Sequence, residues 1–154
     1  MPADDLRHLI QAAVRKHVKP NTGVLLSGGI DSSTIATFAP ELPLFTGWYE
    51  GEQYDERRYA RLISNGREHH EFQITPFDFV RYLDDMLASV EPPVAGPGMF
   101  GQWMVAKHVA ELGIRTVLSG EGGDELFGGY ARLMIVARHE CPEGYENYVL
   151  PADY

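Results

Sequence analysis

The run Leu25-Leu26-Ser27-Gly28-Gly29-Ile30-Asp31-Ser32-Ser33 decides how the chain folds. Residues 23–26 are apolar and stop abruptly at Ser-Gly-Gly, as expected of a strand buried on both faces of a parallel sheet. Residues 32–38 then read as a helix, with Asp31 or Ser32 placed to cap it. Strand, glycine turn and helix in this order predict the first half of a βαβ unit. Upstream, Leu6, Leu9, Ile10, Ala13, Val14 and Val18 recur at the spacing of an amphipathic helix over about 4–18. Pro20-Asn21 ends it.

Downstream, residues 42–49 read as a second strand and 54–64 as a helix with Asp55 and Glu56 in its first turn. Residues 70–75 read as a third strand, and Pro76 opens a helix running to 89. Three prolines and three glycines make 90–101 a loop. A helix over 102–112 closes at Gly113, and 115–118 form a fourth strand. A last helix is expected over 130–139. This alternation predicts the α/β class, a doubly wound parallel sheet flanked by helices in the Rossmann-like manner. Residues 1–139 would form that domain and 140–154 a C-terminal tail.

A second segment matches the first in position, Leu118-Ser119-Gly120-Glu121-Gly122-Gly123-Asp124-Glu125-Leu126-Phe127-Gly128-Gly129-Tyr130. Each follows the carboxyl end of a strand, where open parallel sheets bind ligands. In the first segment Gly28 and Gly29 let successive amides converge on an anion, and the helix start adds its positive end. The Ser27, Ser32 and Ser33 hydroxyls are placed to donate to phosphate oxygens. Asp31 would repel a phosphate unless Mg²⁺ bridges the two. The Lys-Ser/Thr ending of kinase and GTPase loops is missing, and so is the three-glycine dinucleotide pattern. Taken alone, the acids of the second segment read first as a solvated turn. Paired with Asp31 on a neighbouring strand end, they make a two-loop Mg²⁺ site.

Composition narrows the partners. Acids outnumber bases by 22 to 13, a formal charge of −9, which opposes binding to a nucleic-acid backbone. No apolar run is long enough for a membrane span. The N-terminal residues carry Asp4 and Asp5, unlike a signal peptide, so a soluble cytoplasmic protein is expected. The single cysteine, Cys141, cannot pair internally and is read as structural or incidental. His69 and His70 adjoin acids but point to opposite faces of a strand, which speaks against shared metal ligation. Phe100, Trp103 and Met104 read as core.

Ser-Gly-Gly-Ile-Asp-Ser resembles the pyrophosphate-binding loop of the N-type ATP pyrophosphatases, which split ATP into AMP and pyrophosphate. Ser-Gly-Glu-Gly-Gly-Asp-Glu-Leu-Phe-Gly-Gly-Tyr is similar to the matching run of the asparagine synthetase family, which also holds β-lactam synthetase and lasso-peptide cyclases. Tyr54-Asp55-Glu56, Tyr59-Ala60-Arg61 and His69-His70-Glu71 follow as lesser landmarks in the same order. The resemblance spans about 22–130. It implies that Ser27, Gly28, Gly29, Asp31, Ser32 and Ser33 hold the pyrophosphate half of ATP. It implies that Leu26, Ser119 and Gly120 lie along the adenosine, that Asp31 and Asp124 coordinate Mg²⁺, and that Glu121 is the active-site glutamate. The reaction implied is adenylation of a small-molecule carboxylate, followed by displacement of AMP by ammonia or an amine.

The chain also departs from the family. Asparagine synthetases carry a glutaminase domain whose nucleophile is the cysteine exposed after Met1, whereas here Pro2 follows Met1. Nitrogen is therefore expected from free ammonia, an amine, or a separate glutaminase chain. The family's transition-state lysine lies beyond the Gly-Gly-Tyr, but the lysines here, Lys16, Lys19 and Lys107, all precede it. Arg132 and Arg138 carry charge there but cannot shuttle a proton. Val90-Glu91 stands where relatives often have Asp-Glu, which leaves Glu91 either near the site or simply exposed. Three readings follow. One is an AMP-forming amide ligase; another is a nucleotide-binding module without independent catalysis, completed by a partner chain, and either is compatible with a homo-oligomer. The third is a pyrophosphatase acting on a nucleobase or tRNA, which the acidic charge disfavours.

Overall fold

The structure, a computed structural model, describes residues 3–51, 55–91 and 98–130. Residues Met1–Gly120 form one compact unit and Glu121–Tyr154 a second. The first unit opens with α1, Ala3–His17, whose Asp4 and Asp5 lie in the first turn and Arg15, Lys16 and His17 in the last. That polarity complements the helix dipole at both ends. The chain then runs through β1 (Thr22–Leu25), α2 (Ile30–Phe38), β2 (Leu44–Trp48), α3 (Arg57–Ser64) and β3 (His69–Gln73). It continues through α4 (Pro76–Ser89), α5 (Gly98–Glu111) and β4 (Thr116–Leu118).

All pairings in the sheet are parallel, in the order β3-β2-β1-β4. Alternation sorts the strand residues onto two cores. Val24, Leu26, Leu44 and Leu118 pack with Val14 of α1, Ala36 and Phe38 of α2 and Ala60 of α3. Leu25, Phe45, Phe72 and Val117 pack with Met86 of α4 and Phe100, Met104 and Val109 of α5. Helices therefore cover both faces, as the sequence predicts. The second face is the aromatic one, with Phe45, His70, Phe72 and His108 stacked in series.

The two tryptophans lie on opposite faces. Trp48 ends β2 under the Arg57 guanidinium of α3, whose carbon is 3.4 Å from the ring centre. Trp103 of α5 donates its indole N–H to Ser89 Oγ at 2.8 Å and stacks near Phe100. Phe100 and Met104 are buried, as expected of core residues.

Several boundaries differ from expectation. Helix α2 starts at Ile30 with extended Gly29 at its cap, and no side chain caps it. Neither Asp31 nor Ser32 plays that part, because Ser32 lies inside the first turn and its hydroxyl is spent on the preceding loop. Helix α3 starts at Arg57, so Asp55 and Glu56 precede the first turn. Asp55 instead grips Arg57 from outside the helix, at 2.6 and 2.8 Å. Helix α5 begins at Gly98, four residues before the expected 102, because burial of Phe100 and Gly101 repays helix formation through glycine. Helix α4 begins where Pro76 predicts, with Thr75 and Asp78 forming a reciprocal capping box.

The described part of the second unit holds α6, Gly123–Phe127, inside what reads in sequence as a glycine turn. The helix expected over 130–139, the tail 140–154 and Cys141 lie outside the described residues. Among the described residues no helix is long and apolar enough to cross a membrane.

Candidate functional site

The strand order places the site. Chain progress from β1 to β2 to β3 runs one way, and β4 returns to the other side of β1. The crossovers thus reverse between β1 and β4, and the carboxyl ends of such a pair form the crevice in which open α/β sheets bind ligands. The segments emerging there are Ser27–Ser33 and Ser119–Gly120.

The first loop is knit by its own hydroxyls. The Ser27 amide donates to Ser32 Oγ at 3.2 Å, and the two hydroxyls lie 2.9 Å apart. The Gly29 amide donates to Ser27 Oγ, and Ser32 Oγ donates to the Gly29 carbonyl, both at 3.2 Å. Ser27 and Ser32, expected to face phosphate, thus shape the loop as well. Gly28 has φ +93°, and a Cβ there would lie 2.8 Å from Tyr59 Cβ and 2.9 Å from the Ala60 amide nitrogen. The start of α3 therefore presses the loop from behind, and only glycine fits.

Gly120 closes the crevice from the β4 side. A Cβ on it would lie 2.7 Å from the Ser32 amide nitrogen and 2.9 Å from Asp31 Cβ. The structure thus brings Ser27, Gly28, Gly29, Asp31, Ser32, Ser33 and Gly120 together. Ser119 precedes Gly120 directly. Leu26 is 1% exposed, its side chain in the core, its amide bonded to the Phe45 carbonyl and its carbonyl to Thr46, so it presents no free group to the crevice.

Two observations test whether this crevice suits a phosphate and a divalent cation. The first-turn amides of α2 have no acceptor within their own helix. The Ser33 hydroxyl is buried in that same turn without a partner among the described residues. Together they make an electropositive, donor-rich start to α2. Beside it, the half-buried Asp31 carboxylate has no ion-pair partner among the described residues and is the one acid in that turn. Donors for oxygen anions next to one carboxylate fit a phosphate bridged by Mg²⁺.

In the second unit, Gly122 (φ +91°) precedes α6 and Gly128 (φ +73°) ends it. The Asp124 carboxylate lies against Gly129, whose amide donates to the Asp124 carbonyl at 3.0 Å. Glu125 accepts from the Tyr130 hydroxyl at 2.9 Å, while Glu121 is exposed. Among the described residues no three metal-ligating side chains converge. Glu91 is exposed.

Sequence reasoning missed the layer behind the loop. Thr46 Oγ1 donates to the Leu26 carbonyl at 2.5 Å and contacts His69 Nε2 at 2.8 Å. Glu71 is gripped by Arg61 at 2.6 and 2.7 Å. These Arg61 bonds hold the Glu71 carboxyl below its usual range, while burial pushes the His69 imidazole down. Arg57, hydrogen-bonded through its side chain, lowers Asp55 to about 2. The polar Thr46 inside a buried strand was the available signal, while its histidine partner 23 residues on is marked by no local pattern.

A family model described as asparagine synthase matches residues 5–145. The chain belongs to the asparagine synthase family. A Mycobacterium bovis protein named "Putative asparagine synthetase", glutamine-hydrolyzing, is 36% identical over 135 residues, covering 82% of this chain and 21% of that protein. Glutamine-hydrolyzing asparagine synthetase 1 of Bacillus subtilis is 34% identical over 134 residues, 82% of this chain and 21% of the relative. Glutamine-hydrolyzing asparagine synthetase 2 of Lotus japonicus is 33% identical over 148 residues, 81% of this chain and 24% of the relative. The chain therefore spans about a fifth to a quarter of these relatives' length. The asparagine synthase match takes in both glycine segments, β3 with its His69-His70-Glu71, and the start of α3 that backs the first loop.

Proposed function

We propose that the chain forms the ATP-binding part of an AMP- and pyrophosphate-forming amide ligase. The observation that carries the reading is the meeting of the Ser27–Ser33 loop with Gly120 at the carboxyl ends of β1 and β4. Loop amides, the α2 start and the Ser33 hydroxyl would hold the pyrophosphate half of ATP. Leu26, Ser119 and Gly120 would lie along the adenosine. Asp31 and Asp124 would hold Mg²⁺, which when bound offsets charge on the phosphate oxygens. Glu121 would act on the reacting groups.

In the reaction, a substrate carboxylate oxygen attacks the α-phosphorus, and the bond to the β-phosphate oxygen breaks to release pyrophosphate. The nitrogen lone pair of ammonia or an amine then attacks the activated carbonyl carbon, AMP leaves, and nitrogen loses a proton. The chain's main contribution to the first step is preorganised donors where pyrophosphate charge develops. Nitrogen would enter this site as ammonia or an amine.

The coverage favours one other reading, in which this region binds ATP but needs further protein to complete the carboxylate pocket. Calorimetry with Mg-ATP tests the shared core of both. Binding is expected, and Asp31→Ala with Asp124→Ala should weaken it at least tenfold. Equal binding by the double variant would refute the site. A pyrophosphate-release screen over carboxylates and amines separates the two readings, since turnover by the chain alone selects the ligase. AMP is the expected nucleotide product, and ADP would overturn the assignment.

A further inference from the structure

We infer that Thr46 and His69 are positioning residues for the first glycine loop, clamping the peptide that joins Leu26 to Ser27. The role in binding rests on the nucleotide reading above; the clamp itself stands on geometry. The backbone ladder of β1 ends where the Leu26 amide donates to the Phe45 carbonyl at 2.8 Å. The next peptide is held by side chains at both ends. Its carbonyl, on Leu26, accepts from Thr46 Oγ1 at 2.5 Å, and its amide, on Ser27, donates to Ser32 Oγ at 3.2 Å. A peptide is planar, so fixing both ends fixes the orientation of the plane from which Gly28 and Gly29 depart.

The proton count assigns His69 its part. A threonine hydroxyl has one proton, and a carbonyl can only accept, so that proton is committed to Leu26. The 2.8 Å contact between Thr46 Oγ1 and His69 Nε2 must then be donated by the imidazole. Neutral His69 is thereby held as its Nε2–H tautomer. Thr46 is 4% exposed and the His69 side chain 8%, so water does not substitute for either. Behind the ring, Glu71 Oε1 lies 3.8 Å from Nδ1, beyond hydrogen-bond reach, and is itself held by Arg61. A line of hydrogen bonds thus crosses from β3 through β2 to the loop after β1.

The test uses the full chain, with Thr46→Val, His69→Ala and the conservative Thr46→Ser. Met86→Ala, in the opposite core, serves as a control for packing loss. Nitrogen-15 NMR of His69 is expected to show the Nε2–H tautomer. Thr46→Val and His69→Ala should each speed hydrogen exchange at the Ser27 amide and weaken Mg-ATP binding by about tenfold. Thr46→Ser should stay within twofold of wild type, and Met86→Ala should lower the melting temperature without either effect. An Nδ1–H tautomer, or unchanged exchange and affinity in both variants, overturns the positioning role. Wild type that binds no Mg-ATP overturns the nucleotide reading and this role in it together. Wild type that binds, with both variants binding equally well, overturns the role alone.

Discussion

The two glycine segments look alike in sequence but keep their shapes by different means. Around Ser27–Ser33 the surroundings dictate the conformation: α3 abuts Gly28, Gly120 abuts Asp31 and Ser32, and α2 sends Ser32, Ala36 and Phe38 into burial. Around Glu121–Tyr130 the chain's own backbone does so. Among the described residues, none of helix α6 is buried, and a Cβ on Gly122 or Gly128 would meet nothing within 4 Å. A glycine required by neighbours and a glycine required by its own φ look identical in one sequence. They differ in what replacing them costs.

That contrast is sharpest for alanine substitutions. Gly28→Ala combines left-handed strain with overlap onto backbone and should lose about 3–4 kcal/mol. Gly122→Ala carries the strain alone and should lose about 1 kcal/mol. Urea denaturation of both variants checks this, and equal losses would erase the distinction. Arg67→Met comes next. Arg67 donates to the Ala36, Ala39 and Leu42 carbonyls at 2.7–2.9 Å, sealing the end of α2. Leaving them unpaired should cost about 2–3 kcal/mol, read in the same way.

Hydroxyl deletion gives a smaller version of the comparison. Ser32→Ala leaves the Ser27 amide and hydroxyl without their partner and should cost about 1–2 kcal/mol. Glu125→Gln, on an exposed contact in the second segment, should change stability by less than about 0.5 kcal/mol. The smallest effect is acid sensitivity. Asp55 falls from 3.8 to about 2 in the fold, so its contribution is complete above pH 4 and fades as pH drops through 2. Since Asp55 anchors Arg57 where α3 backs Gly28, acid should loosen the first segment before the second. NMR titration of the Gly28 and Gly122 amides checks the order, and Asp55→Asn should abolish it.

Much of this was legible because local and global signals agreed. Pro76 opens α4 in sequence and structure alike, and the segments read as strands at 23–26 and 115–118 do become adjacent parallel strands. What escaped has a tertiary cause. Helix α5 extends back into a Gly/Pro-rich stretch because Phe100 is 3% exposed, and propensity yields to that burial. Ser32 reads as a cap, yet contacts five residues away recruit it to the loop. The candidate site divides in the same fashion: glycines and Asp31 announce themselves by type and order. Thr46 and His69 acquire meaning only through a pairing 23 residues apart that no local pattern encodes.

The placement of the tryptophans offers an optical consequence. The chain has two, Trp48 beneath a guanidinium on one face and Trp103 bonded to Ser89 on the other. A Trp103→Phe variant would leave a fluorophore reporting the layer of α1, α2 and α3, and Trp48→Phe one reporting the layer of α4 and α5. If the sheet and both layers melt as one body, the two emission transitions should superimpose in denaturant. Separated midpoints would reveal that the face carrying the glycine loop opens on its own schedule, with nucleotide shifting only one of the two curves.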